Sequence, residues 1–135
     1  MKYLFSAFLF FVALNCNANN PFLDRLTKLN QEIIFLQIKI KIADRLDKTT
    51  LKSEIIILKE KIIRLKQDTQ KDFINNQTYS SEFNDLMGIV SDLANLKLDL
   101  LTTFKRTESN FYLEKYNQLN TAYTDLYGKL LLSSW

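Results

Sequence analysis

Phe22, Leu26, Leu29, Ile33, Leu36, Ile40 and Ala43 follow one another at alternating steps of four and three residues. That spacing keeps one stripe of a helix facing a partner for about three heptads. The rhythm breaks at Asp47, and Asp47-Lys48-Thr49-Thr50 is either a tight turn or a stutter in one longer helix, since no glycine or proline forces a reversal. It then resumes as Leu51, Ile55, Leu58, Ile62 and Leu65. Beyond residue 18 the chain holds only Gly88, Gly128 and Pro21 as turn formers. A β-sandwich with many tight turns could hardly be built from so few. The expected fold is all-α, a helical hairpin or an up-down four-helix bundle with coiled-coil-like packing.

Boundaries follow from capping chemistry. Asn20 precedes Pro21, and asparagine caps free amides while proline suits the first helical position, where its missing N–H is not needed. The first helix is therefore expected over about 21–47 and the second over 50–74. Asn75-Asn76-Gln77-Thr78-Tyr79-Ser80 is a polar run whose asparagines compete for the backbone, which predicts a reversal. Ser80 or Ser81 caps a third helix over 81–105, with Glu82 and Asp85 against the positive end of its dipole. Its apolar rows are Phe83, Met87, Val90, Ala94, Leu98 and Leu101, flanked by Leu86, Leu93, Leu100 and Phe104. Thr107 is placed to cap a fourth helix over 108–132, with a seam of Tyr112, Tyr116, Leu119, Tyr123, Leu126 and Leu130. No repeat of solenoid type is visible, the segments sharing periodicity and not residues.

The start of the chain, MKYLFSAFLFFVALNCNA, reads as a bacterial secretory signal peptide over residues 1–18. Lys2 supplies the positive region, and the apolar stretch Tyr3 to Leu14 falls short of the roughly 20 residues that span a bilayer. Cys16 and Ala18 give small residues at −3 and −1 for a cut before Asn19. The alternative is lipidation of Cys16 within ALNC, disfavoured by Asn15, and only then is membrane contact expected. A single domain over 19–135 is expected in the periplasm or secreted, with outer-membrane lipoprotein the lesser alternative.

The remaining 117 residues carry seventeen basic and fifteen acidic side chains, a net charge of +2 too weak to argue for nucleic acid. Histidine is absent and the single cysteine lies in the leader, which excludes disulfides, thiol catalysis and ordinary zinc sites together. A carboxylate-held metal needs glutamates facing inward from neighbouring helices, whereas the acidic residues here fall between seam positions. No catalytic residue, metal or cofactor is expected, and the protein is not read as an enzyme. Lys59, Lys61, Arg64, Lys66 and Lys71 form a basic run interrupted by Glu60, Asp68 and Asp72, a solvated face of opposite-charge pairs. Residues 21–74 hold twelve basic against eight acidic side chains, and residues 75–135 five against seven, so the halves attract weakly.

The feature with the most functional content is a second isoleucine row beside the seam: Ile34, Ile38 and Ile42, then Ile56 and Ile63. A two-helix hairpin cannot bury both rows. Either the third and fourth helices cover the second row, or a partner or second copy does. In the tyrosine row Tyr112, Tyr116, Tyr123 and Tyr127, a core-facing seam competes with a contact platform, and Tyr127, off the seam line, is expected to be the most exposed. Ile34, Ile38, Ile42, Ile56, Ile63 and Tyr127 are thus the candidate interface for protein partners in the envelope or a homo-oligomer.

Leu26–Lys48, LTKLNQEIIFLQIKIKIADRLDK, resembles the opening helix of the small periplasmic accessory proteins of type IV pilus systems, the PilP-like proteins of the type IVb branch. The likeness covers about a fifth of the mature chain. It implies a helix that reaches toward a membrane complex and a role in assembling a pilus or secretion system. The β-domain that follows in that family has no counterpart in this sequence. A soluble binding module, a chaperone or an inhibitor, is the reading from another class.

Cleavage after Ala18 predicts a mature protein that starts at Asn19. Intact mass of a periplasmic fraction checks this, and a diacylated Cys16 or a full-length chain in the membrane would contradict it.

Overall fold

The computed structural model describes residues 20–46, 49–133 and 135. The leader expected over residues 1–18, with Cys16, lies outside them. Four helices make up the described chain: α1, Pro21–Ile42; α2, Thr49–Asn75; α3, Ser81–Thr107; and α4, Asn110–Leu132. No strand occurs among the described residues.

Side-chain capping sets two of the helix starts. The Asn20 Oδ1 accepts from the amides of Phe22 at 3.1 Å and Leu23 at 3.2 Å, ahead of Pro21 at the first helical position. At α3 the Ser80 Oγ accepts from the Phe83 amide at 3.1 Å. Two expected ends move. α1 stops at Ile42, five residues before the expected end, with Ala43 extended. Ala43 N–H still bonds the Lys39 carbonyl, and Lys105 Nζ of α3 donates to the Lys41 carbonyl at 3.0 Å, satisfying an acceptor that the helix end leaves open. α2 begins at Thr49, one residue before the expected start. Thr107 ends α3 instead of capping α4. Glu108 takes the left-handed conformation that closes α3, and Ser109 precedes α4.

Ion pairs fix the register of neighbours. Arg25–Asp68 at 2.9 Å, Glu32–Lys61 at 3.0 Å and Lys39–Glu54 at 3.1 Å join α1 to α2, and in each the two residue numbers add to 93. A constant sum marks an antiparallel pair, so α1 and α2 form a hairpin and not one long helix. Lys59–Asp99 and Lys66–Asp92 repeat the device between α2 and α3, joining the basic half of the chain to the acidic half. These pairs are exposed and worth about 0–1 kcal/mol each, so they select register more than they stabilise.

The stabilising burial comes from the seams. Leu26, Leu29, Ile33, Leu36 and Ile40 of α1, and Leu51, Leu58, Ile62 and Leu65 of α2, are buried against Phe83, Met87, Val90, Ala94, Leu98 and Leu101 of α3 and against α4 in one cluster. α3 packs on all three other helices: α2 and α4, and α1 alongside. Phe22, Tyr79, Phe83 and Trp135 close one end of the bundle, with ring centroids 4.7 to 6.0 Å apart along the chain of contacts. Trp135 Nε1 donates to the Leu130 carbonyl at 2.8 Å. Buried Thr27, Thr69 and Ser91 satisfy their hydroxyls on the carbonyl four residues earlier, so none is left unpaired in the core.

Leu58 is 4% exposed, inside the α1–α2–α3 core. Leu58→Asp is expected to unfold the protein, because an unpaired charge there costs several kcal/mol, comparable with the stability of a small domain. Loss of the helical far-UV circular dichroism signal at 25 °C checks this, and retained cooperative melting would contradict it.

Candidate functional site

The outward side of α1 and α2 is where this molecule departs from an ordinary surface. Of the twelve large hydrophobic side chains exposed among the described residues, eight belong to these two helices: Ile34, Phe35, Ile38, Ile42, Ile56, Ile57, Ile63 and Ile74. Single exposed leucines are normal, but eight large apolar side chains on two adjacent helices exceed that scatter. Helical geometry explains the cluster. The buried seam runs through Ile33, Leu36 and Ile40, and α3 and α4 lie on that side. Ile34, Ile38 and Ile42 repeat every four residues on the far side of the cylinder, beyond the reach of either helix. They are 40%, 50% and 75% exposed.

Between α1 and α2, to one side of that row, runs a groove lined by Glu32, Phe35, Leu36 and Lys39 of α1 and Glu54, Ile57, Leu58 and Lys61 of α2. Each α2 residue in that set stands 22 positions after an α1 counterpart. The correspondence extends through the hairpin: residues 27–40 and 49–62 are identical at eight of fourteen positions, including Glu-Ile-Ile-x-Leu-x-x-Lys in both. The segments therefore share residues as well as periodicity, contrary to the expectation from sequence. An antiparallel pair of like segments has an approximate two-fold axis, here passing between Phe35 and Ile57. The two ion pairs Glu32–Lys61 and Glu54–Lys39 are mates about that axis.

Tyr127 is corrected by the structure. It is buried, 5% exposed, stacked on Tyr123 with centroids 5.8 Å apart and planes 5° apart. α4 presents Tyr116, Tyr123, Tyr127, Gly128, Leu130 and Leu131 inward, so its buried stripe is rotated from the predicted seam, with Leu119 and Leu126 at its margin. One polar contact accompanies the rotation: Tyr123 Oη donates to Asn30 Oδ1 of α1 at 2.7 Å, and Tyr127 is stacked on the Tyr123 ring. Burial pushes both phenols above their ordinary range, in Tyr127 against the pull of Thr27 and Asn30. Tyr116 and Tyr123 are buried as well, so three of the four tyrosines are core, with Tyr112 half-buried near the start of α4.

Lys97 was not legible. It is 2% exposed, with Nζ 3.0 Å from Asn120 Oδ1 and 3.7 Å from the centroid of the Tyr123 ring. Among the described residues no carboxylate forms an ion pair with it. Desolvation, with Lys41 adding repulsion, holds its amine down to about 7. The signal that would have found it is positional: Lys97 directly precedes Leu98 and lies three residues after Ala94, inside α3's buried stripe. The basic run on α2 is largely paired, Lys59, Lys61 and Lys66 each meeting a carboxylate.

No group of three or more metal-ligating side chains occurs among the described residues, and no helix there is long and apolar enough to cross a membrane. A scan of the chain against protein-family models, curated proteins and solved structures finds no match.

Above about pH 7 the folded protein holds Lys97 neutral, whereas the unfolded chain keeps that proton to about pH 10.5. The unfolded state then binds more protons, so stability rises with pH over this window. A gain on the order of 2 kcal/mol between about pH 7 and 9 is expected in urea denaturation. Above that range the buried tyrosines, neutral when folded, reverse the slope. Lys97→Met is expected to flatten the rise, and an equal rise in that variant would assign it to other groups.

Proposed function

We propose that this protein is a non-catalytic scaffold or assembly component that works through helix-mediated protein contacts on the outward side of α1 and α2. The observation that carries the proposal is the apolar row Ile34, Ile38 and Ile42, left uncovered by the protein's own helices. Holding three isoleucines and Phe35 in water lowers neither the folding free energy nor the aggregation risk of the isolated chain. A partner that buries them supplies the compensation.

The leader-like sequence of residues 1–18 supports a place in a bacterial cell envelope, periplasmic or secreted. The likeness of Leu26–Lys48 to the opening helix of PilP-like proteins supports service to a pilus or secretion system there. In that family the segment is one reaching helix. Here it folds back after Ile42 into a hairpin, so the contact surface proposed is two helices wide.

Ile38 is the central residue of the row, half exposed. Ile38→Glu is expected to leave helicity and melting temperature nearly unchanged and to weaken partner association about thirtyfold, the effect of removing an anchor worth about 2 kcal/mol. Pull-down from envelope-crosslinked cells, with wild type and variant compared, measures it. A variant that folds and retains every partner would overturn the proposal.

A further inference from the structure

The four charges that border the α1–α2 groove sit at the corners of a rectangle. Glu32 and Lys39 lie one above the other on α1, Lys61 stands opposite Glu32, and Glu54 opposite Lys39. Signs therefore alternate around the rectangle. Such a checkerboard is complementary to itself. If a second identical face is turned over about an axis lying in the face, either along the helices or across them, every glutamate falls over a lysine and every lysine over a glutamate.

We infer that the outward face of the α1–α2 hairpin binds a second copy of this chain, forming an isologous two-fold dimer with the groove at its centre. This rests on the protein-contact proposal above and names its partner. The apolar content fits. An axis across the helices sets α1 against α1 of the second copy, so that Phe35 and, beside it, Ile38 face the apolar row of that copy, whereas an axis along the helices sets them against α2, where Glu60 occupies the place equivalent to Ile38. Two helices of this length side by side offer roughly 600 Å² per copy. A standard interface takes about 800 Å² per partner, so the hairpin supplies most of one without help from α3 or α4. A closed two-fold contact also uses up the patch on both copies and leaves no open end for a filament.

Charge reversal tests the pairing, because a partner of any other kind has no reason to follow its rule. Glu32→Lys with Glu54→Lys makes all four corners positive, and Lys39→Glu with Lys61→Glu makes them all negative. The expected result in sedimentation equilibrium is a wild type at twice the single-chain mass and each double variant weakened about tenfold or more, with a one-to-one mixture of the two restoring a dimer. Circular dichroism should show both variants folded, since only exposed pairs are lost. If either loses helicity, Phe35→Arg reads the same interface, its side chain being 64% exposed. A wild type that is a single chain at about 100 μM would overturn the dimer, as would variants that dimerise as wild type does, or a mixture that fails to pair. A single-chain wild type whose Ile38→Glu variant still loses an envelope partner would sink self-association alone. If that variant also keeps every partner, the contact proposal falls with it.

Discussion

Every other helix leans on α3, and most features of the molecule follow from its having neighbours on three sides. A helix packed against one partner needs only a narrow apolar seam, while one enclosed by α1, α2 and α4 needs a stripe well over 100° wide. α3 has it: Leu86, Lys97, Val90, Phe83, Leu101, Ala94, Met87 and Leu98 cover successive directions around one side of the cylinder and all are buried. Lys97 is the member out of character. Its aliphatic stem lies within the buried stripe of α3, and its amine meets the Asn120 amide oxygen and the Tyr123 face. Both belong to α4, so the costliest side chain in the core also fixes how α4 is turned against α3.

That turning accounts for what the sequence did and did not disclose. On α1, α2 and α3 the steps of three and four named most of the buried apolar residues, because an aliphatic side chain needs only to leave water, while Leu23 and the buried polar Thr27, Thr69, Ser91 and Lys97 escaped them. α4 buries tyrosines, and a tyrosine must also satisfy its hydroxyl. Tyr123 finds Asn30 of α1, and Tyr127, stacked on the Tyr123 ring, goes inward with it. Periodicity is blind to such polar demands. The end of α1 was hidden too, and one of the groups that satisfies its open carbonyls, Lys105, is 64 residues away. Ser80 and Asn20, by contrast, cap from within their own helix starts and were read directly.

The exposed isoleucine row was legible as a problem, though not as an answer. Spacing alone showed two apolar rows on α1, and it took the packing to show that α3 and α4 cover only one of them. The likeness between residues 27–40 and 49–62 was open to inspection from the start. It is easily missed, because a shared heptad rhythm makes any two amphipathic helices look alike. Only the groove gave the repeated charges a meaning, by placing each Glu of one segment beside the Lys of the other.

A repeated segment folded antiparallel has consequences that a single helix lacks. One helix bearing Glu and Lys seven residues apart is a dipole along its axis and matches only a partner running in one sense. The second copy of the pattern, reversed across the groove, cancels that dipole and leaves a quadrupole with no net charge at the four corners. Long-range steering is then weak, and the field is felt only at contact distances, within about a Debye length. Such a surface attracts little that is merely charged and discriminates by registration, since a slip of one helical turn sets unlike corners against apolar side chains. Hydrophobic burial supplies attraction without direction. The checkerboard supplies direction with little attraction of its own. The two together on one face are what a specific helix-to-helix contact between like molecules requires.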